Sequence, residues 1–96
     1  MIVSFADATT ADIYHGNDTK AARRLPRELW GRIQRKLDIL NACTSVEDLR
    51  IPPANRLEKL KGDFAGFYSI RVNEQYRIVF RFVAARAEEV RCVDYH

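Results

Sequence analysis

The sequence predicts an α+β fold, in which two N-terminal helices pack on a twisted, mainly antiparallel sheet of four to five strands. A strong amphipathic helix pattern lies in the first half of the chain, and strand-like segments separated by short turns fill the second half. Strands joined by short turns form an antiparallel meander, and the preceding helices can cover one of its faces. At 96 residues, we expect one domain spanning residues 1–96.

The first half of the chain contains one short strand and two helices in the predicted order. Residues 1–5 (MIVSF) are apolar and indicate an opening strand, and residues 6–16 indicate a short helix that Gly16 ends. After a polar loop, a helix over residues 26–42 begins at Pro26, which suits a first helical position. Its apolar stripe consists of Leu29, Ile33, Leu37 and Leu40.

The second half begins with turns and continues with strands. TSVEDLR carries a capping-box pattern and predicts a single helical turn. IPPANR should be an ordered loop because its two prolines lack backbone donors, and LEKLKGDFAG indicates an edge strand that ends in a glycine turn. Three further strands are expected, over residues 67–72, 76–83 and about 89–94.

The register of the hairpin YSIRVNEQYRIVFRF follows from its apolar faces. Placing Ile70 opposite Ile78 joins these faces and leaves residues 73–75 as the loop. A shift by one residue would bury Arg77 in the core. The favoured register therefore sets Arg71 directly opposite Arg77.

Two opposed arginines destabilise a sheet unless something compensates their repulsion. A bound anion would do so, because guanidinium groups match phosphate oxygens and stabilise charge that develops on phosphorus. Two alternatives stay open: the arginines splay apart into solvent, or one of them pairs with an acid such as Asp94. The register by itself favours a bound anion over these two alternatives.

Composition excludes several classes of protein. A hydrophobic fraction of 47% and a charged fraction of 30% are typical of a soluble globular protein. The chain has neither an apolar run long enough to cross a membrane nor a signal-peptide pattern, so we expect a cytoplasmic protein. Cys43 and Cys92 lie far apart without metal-ligand spacing, which predicts buried thiols and no metal site.

The positive charge is concentrated in one stretch. The net charge is only +3, but residues 19–36 contain seven basic residues and one acid. The basic residues are Lys20, Arg23, Arg24, Arg27, Arg32, Arg35 and Lys36. This stretch would suit a polyanion or an acidic protein partner, and a solvated helix face is the alternative.

Several segments in order resemble the HigB toxins of the RelE-like superfamily. They are MIVSF, IYHG, DLRIPPANRLEKLKGD, YSIRVNEQYRIVFRF and the terminal VDYH. The resemblance implies an endoribonuclease that enters the A site of the 30S ribosomal subunit and cuts mRNA there without metal or cofactor. It also implies a HigA-type helix-turn-helix antitoxin as partner, through which alone the toxin would meet operator DNA.

The resemblance also implies roles for individual residues. Asp94, Tyr95 and His96 match the closing D-Y-H, which is implicated in catalysis. Arg77 matches an arginine assigned to phosphate stabilisation, and Lys61 matches the basic residue of the L-K-G-D turn. The residues assigned to RNA contact are Arg71, Asn73, Gln75 and Lys59.

Proton transfer is where the chain departs from the family pattern. Some members carry a histidine shortly before the L-K-G-D turn, and Glu58 stands in that place here. Either Glu58 takes this role, or His96 and Asp94 alone transfer protons. Strand alternation adds a conflict, because it places Asp94 and His96 on the nominal core face, opposite to Arg77.

Two functional classes are consistent with these features. The first is a ribosome-dependent endoribonuclease, in which the 2′-OH of RNA attacks the adjacent phosphate. The second is a non-catalytic basic module that binds RNA or an acidic protein and blocks translation without cleavage. In either class, Arg32, Arg35 and Lys36 are predicted to dock an acidic antitoxin.

Overall fold

A computed structural model describes residues 1–95 and places two α-helices ahead of an antiparallel sheet. The elements are α1 (Ala8–Tyr14), α2 (Trp30–Ala42), β1 (Glu58–Lys59), β2 (Phe67–Arg71), β3 (Tyr76–Val83) and β4 (Arg86–Asp94). Within the described residues, the strands form one four-stranded sheet in the order β1-β2-β3-β4. The predicted α+β class is therefore confirmed.

Helix α1 begins and ends where its sequence favours it. The Asp7 side chain accepts a hydrogen bond from the Thr10 amide at 2.8 Å and caps α1, and Gly16 follows that helix with φ of 74°. The predicted helix over residues 26–42 is confirmed with one difference. Its first turn, Arg27–Leu29, is a 3₁₀ turn, so α2 itself begins at Trp30.

The hydrophobic core lies between the helices and one face of the sheet. Ile33, Leu37 and Leu40 of α2 are fully buried, as the predicted stripe requires. They pack in one cluster with the apolar face of the sheet, which presents Ile70, Val72, Ile78, Phe80, Val90 and Cys92. Helices α1 and α2 both contact β4. Burying this face fixes the register of the sheet, because a one-residue slip would expose it.

The opposite face of the sheet is partly covered as well, by the loop over residues 51–56, whose Arg56 carbonyl accepts from Arg77. The sequence analysis predicted no cover for this face. Ser69 is nevertheless fully buried there, and Arg77 is only 7% exposed. The predicted ordered loop contains a 3₁₀ turn, Pro53–Asn55, and the capping box at Ser45 starts the turn Val46–Arg50 before it. The loop therefore forms a lid over the polar face.

The N-terminal segment does not form the predicted regular strand. It runs beside β4 and makes two isolated parallel bridges, Ile2 with Ala87 and Phe5 with Val90. Between them, Glu89 has φ of 52° and its amide donates to the Ser4 hydroxyl at 2.9 Å. This irregularity in β4 interrupts the ladder, so the edge pairing is not continuous.

The last strand begins three residues earlier than predicted. Ala84 and Ala85 connect β3 to β4 with φ of 51° and 64°. Two-residue hairpin turns with positive φ normally carry Asn-Gly or Asp-Gly, so Ala-Ala gives no signal in the sequence. The prediction that β4 begins near residue 89 was therefore wrong, and the strand starts at residue 86.

Cys43 and Cys92 are buried free thiols, as predicted. Burial raises the pKa of Cys92 to about 12, and the negative charge of Asp7 adds to this effect. No helix within residues 1–95 is long and apolar enough to cross a membrane.

Asn55 links the lid to α2 and gives the first testable prediction. It is fully buried, its Nδ2 donates to the Leu49 carbonyl at 3.2 Å, and its Oδ1 accepts from the Lys36 ammonium. Asn55→Ala leaves these groups without their partner and should lower the free energy of unfolding by about 2–3 kcal/mol. Urea denaturation monitored by circular dichroism measures the change.

The control for this prediction is Asn17→Ala, which removes the same amide group at an exposed position. We expect that variant to stay within about 0.5 kcal/mol of the unmodified protein. Equal stability of the two variants would show that Asn55 does not hold the lid.

Candidate active site

The predicted pairing of Arg71 with Arg77 is present in the sheet. Strands β2 and β3 pair Ile70 with Ile78 and Arg71 with Arg77. Directly opposed residues share one face, so both side chains start from the face that the lid covers. The two arginines differ in burial, since Arg77 is buried and Arg71 is half-buried.

Arg77 is held by a network of hydrogen bonds beneath the lid. Its Nε donates to the Ser69 hydroxyl at 2.8 Å, and its Nη2 donates to the carbonyl oxygens of Ser69 and Arg56. The remaining nitrogen, Nη1, lies 3.6 Å from the carboxylate of Glu58. The acid that pairs with Arg77 is thus Glu58, where the sequence had suggested Asp94.

Burial lowers the pKa of Arg77, and the negative charge of Glu58 opposes this shift. A guanidinium nevertheless keeps its proton at any physiological pH. Arg77 is therefore a fixed positive charge whose orientation the protein sets before any ligand arrives.

A cleft of about 450 Å³ opens beside this network, and we call it the arginine cleft. It is lined by Arg56, Glu58, Arg71, Asn73, Glu74, Arg77 and Tyr95. Five residues that the sequence singled out thus line one cleft: Glu58, Arg71, Asn73, Arg77 and Tyr95. With Arg56 and Glu74, the lining of the cleft contains three arginines, two glutamates, one asparagine and one tyrosine.

Tyr95 lines the cleft and is held beside the hairpin loop. The Tyr95 amide donates to the Gln75 carbonyl at 2.7 Å, and the Gln75 side chain donates to the Asp94 carboxylate at 3.0 Å. The Tyr95 ring lies 5.5 Å from the Arg77 guanidinium carbon, in cation–π geometry. Gln75, expected to contact RNA, thus also positions the chain end.

This arrangement settles most of the conflict over strand faces. Asp94 pairs with Tyr76, whose side of the sheet is opposite to Arg77, as alternation required. Tyr95, the next residue, lies on the Arg77 side. Asp94 lines a separate pocket of about 200 Å³ together with Val79, Val93 and Tyr95, and its catalytic role stays a prediction. His96 lies outside the described residues.

Asn73 shapes the loop that borders the cleft. Its side-chain oxygen accepts from the amides of Gln75 and Tyr76, at 2.9 and 2.7 Å. Such an Asx-type turn fixes a short loop without glycine. Asn73 therefore has a structural role besides its predicted contact with RNA.

The two predicted lysines lie outside the arginine cleft. Lys59 follows Glu58 in β1 and pairs with Tyr68, so strand alternation directs it to the opposite face. Lys61 is exposed and precedes the 3₁₀ turn Gly62–Phe64. Neither residue lines the cleft, and the roles assigned to them stay predictions.

A second cleft, of about 480 Å³, adjoins the first, and we call it the basic cleft. It is lined by Arg32, Arg35, Lys36, Ala54, Arg71, Val72, Asn73 and Glu74. The three residues predicted to dock the antitoxin thus gather beside Arg71. Burial lowers the pKa of Lys36, and the nearby charges of Arg32 and Arg35 lower it further.

Sequence reasoning missed two partners of Arg77. Ser69 has an ordinary strand pattern, and the contribution of Arg56 is its backbone carbonyl, which no residue type reveals. Arg56 has φ of 44°, a left-handed conformation that turns the chain from the lid into β1. Within residues 1–95, no cluster of His, Cys, Asp or Glu could hold a metal ion.

Comparison with known proteins identifies the family of this chain. A family model described as the RelE-like toxin of the type II toxin–antitoxin system HigB matches residues 3–96. Toxin HigB-1 of Vibrio cholerae is 43% identical over 83 residues, which are 86% of this chain and 85% of that protein. Endoribonuclease HigB of Proteus vulgaris is 32% identical over 72 residues, 75% of this chain and 77% of that protein.

Solved structures show the same fold at lower identity. The YoeB–YefM complex from Staphylococcus aureus contains a chain with a TM-score of 0.62 and 18% identity, and the match covers 100% of this chain and 98% of that one. A YoeB/ParE toxin from Agrobacterium tumefaciens has a TM-score of 0.57 and 20% identity, with coverage of 99% and 98%. Together, the family match and the two HigB relatives show that this chain belongs to the HigB-like toxins, the RelE-like toxins of type II toxin–antitoxin systems.

Proposed function

We propose that this toxin is a ribosome-dependent endoribonuclease that cuts mRNA in the ribosomal A site. The observation that carries the proposal is the arginine cleft, in which Arg71 and Arg77 share one sheet face beside Glu58 and Tyr95. Membership of the HigB family and similarity to Endoribonuclease HigB of Proteus vulgaris support the same reaction. The family match over residues 3–96 also supports a single toxin domain.

The arginines would stabilise the charge that forms on phosphorus. The 2′-oxygen attacks the adjacent phosphate, and a phosphorane with additional negative charge forms. Arg77 offers Nη1 toward the Glu58 side of the cleft, while its other nitrogens remain bonded to the sheet and the lid. A donor that is already oriented needs little reorganisation during the reaction, and this makes it effective.

We assign the general base to Glu58 and the general acid to His96. The Glu58 carboxylate lines the cleft and is half-exposed, so it can reach a 2′-hydroxyl placed against Arg77. It removes the 2′-OH proton, the bond from phosphorus to the 5′-oxygen breaks, and the acid protonates the leaving oxygen. The products are a 2′,3′-cyclic phosphate and a 5′-hydroxyl.

Tyr95 is placed to position the substrate. Its ring is half-exposed beside Arg77 and can stack on a base of a splayed strand, a common mode in RNA recognition. Gln75 and Asp94 hold this part of the chain against the hairpin loop. We therefore assign them to positioning, with Asn73 as the residue that shapes the loop.

The partner that we propose is a HigA-type helix-turn-helix antitoxin, because the family is defined by its toxin–antitoxin systems. Operator DNA would be bound only through that antitoxin. The proposed substrate places the protein in the cytoplasm, where ribosomes translate mRNA. Antitoxin contact at Arg32, Arg35 and Lys36 stays a prediction.

Transcript-end mapping after induction of the toxin tests the reaction class. Cleavage in the A site should create discrete new 5′ ends in register with codons. Arrest of translation with intact transcripts would instead support the non-catalytic binding module and would contradict the endoribonuclease.

Arg71→Ala should lower the cleavage rate on programmed ribosomes by about 10²–10³-fold, because a donor to the phosphorane is lost. Arg71 is half-buried and makes no described ion pair, so the thermal unfolding temperature should change little. Single-turnover cleavage measures the rate. Arg86→Ala removes the same group at the far end of β4 and should leave cleavage unchanged.

Glu58→Gln should lower the single-turnover rate by about 10²–10⁴-fold, the usual contribution of a general base. Single-turnover cleavage on programmed ribosomes measures this loss.

Glu74→Gln is the matched control, because Glu74 lines the same cleft and the change removes the same charge. We expect this variant to keep most of the single-turnover rate of the unmodified protein. If Glu58→Gln cleaved as fast as the control, Glu58 could not be the base.

A further inference from the structure

We propose that the basic cleft is a second RNA-binding subsite, which holds the ribose-phosphate backbone of the substrate strand beside the cut bond. The inference rests on the proposed endoribonuclease function and extends it from the reacting phosphate to a flanking one. It assigns Arg32, Arg35 and Lys36 to the substrate strand.

The first reason is uncompensated charge. Arg32, Arg35 and Lys36 stand three and four residues apart on α2, where like charges repel and destabilise a helix. Among the ion pairs within residues 1–95, none involves these residues or Arg71. By contrast, Arg23 and Arg27 elsewhere in the basic stretch both pair with Asp18. A bound anion would relieve the repulsion in the cleft.

The second reason is that the walls of the cleft are ordered before any ligand binds. The Lys36 ammonium donates to the Asn55 side chain, and buried Asn55 donates in turn to the Leu49 carbonyl. Arg32 donates to the Val72 carbonyl at 3.4 Å, which leaves most of its N–H donors for a ligand. Side chains held in this way lose less conformational entropy on binding.

The third reason is continuity with the arginine cleft. Arg71, Asn73 and Glu74 line both clefts, so they form a shared wall. An occupant that passes from one cleft to the other along Arg71 must be extended and must carry negative charge at intervals. A single-stranded RNA backbone has both properties, and guanidinium groups suit its phosphates.

An acidic segment of the antitoxin is the competing occupant. Continuity favours the RNA strand, because a strand cut at Arg71 and Arg77 must leave the arginine cleft in some direction, and the basic cleft adjoins Arg71. An acidic protein segment need not enter the arginine cleft, so its carboxylates need not continue from one cleft into the other.

The test uses a fluorescent single-stranded RNA made uncleavable by 2′-O-methyl groups. Its affinity for the full chain is measured by anisotropy over a series of salt concentrations. Arg32→Gln with Arg35→Gln should weaken binding by about tenfold or more. The slope of log affinity against log salt should fall by about 1.4, at roughly 0.7 per lost phosphate contact.

The control is the double variant Lys20→Gln with Arg24→Gln. It removes the same charge from exposed residues of the same basic stretch that do not line the cleft. We expect it to keep the affinity and slope of the unmodified protein. Arg35→Gln alone, the smaller change, should show about half of the slope change.

Cleavage on programmed ribosomes gives the second readout. Removing a residue that binds a flanking phosphate equally in the ground and transition states raises KM and leaves kcat nearly unchanged. We expect this pattern for the Arg32 and Arg35 double variant, in contrast to the loss of kcat in Arg71→Ala.

Three results would overturn the subsite. One is equal RNA affinity and slope in the unmodified protein and the double variant, including no measurable binding by either. Another is loss of antitoxin affinity with RNA affinity intact, which would assign the cleft to the antitoxin. The third is that the double variant binds the RNA strand normally but loses affinity for ribosomes that carry no mRNA. That result would assign the basic cleft to ribosomal RNA.

Failure of the subsite leaves the proposed function standing if Arg71→Ala still abolishes discrete cleavage. Conversely, intact transcripts after induction of the unmodified toxin would reject the endoribonuclease, whatever the double variant binds. The two failures are therefore separable.

Discussion

The candidate site depends on the burial of one guanidinium between a sheet and a lid. Arg77 bonds to Ser69 within the sheet and to the Arg56 carbonyl in the lid, so the same side chain joins both layers. A buried charge is costly unless it is paired and hydrogen-bonded, and here the Glu58 carboxylate and three oxygen acceptors meet that need. Holding the lid and orienting the charge at the candidate site are thus one physical constraint.

The two arginines differ in how firmly they are held and in how accessible they are to a ligand. Arg77 is fixed beneath the lid, whereas Arg71 is half-buried and lines both clefts. Repulsion between opposed cations is tolerated because Glu58 neutralises one of them and because the other faces open volume. The apolar face behind them, packed on α1 and α2, keeps the register that sets this opposition.

The parts of the site that depend on strand alternation and on sequence motifs were predictable. Alternation fixed the register of β2 and β3, and resemblance to HigB toxins pointed to Tyr95 and Arg77, which line one cleft. Local pattern failed at Ala84 and Ala85, which adopt positive φ without the usual turn residues, so the start of β4 was misplaced. Local pattern also failed for residues 1–5. Their pairing with β4 is interrupted at Glu89, which lies far away in the sequence.

By itself, the sequence determined the α+β class, the stripe of α2, the pairing of Arg71 with Arg77 and the family, because these follow from periodicity and from ordered motifs. Only the tertiary structure decided that the lid buries Arg77, that Glu58 is its partner and that the cations of α2 meet Arg71 in a cleft. The physical reason is that these contacts join segments distant along the chain, and strand or helix periods carry no information about which distant backbone carbonyl or carboxylate a buried charge will meet.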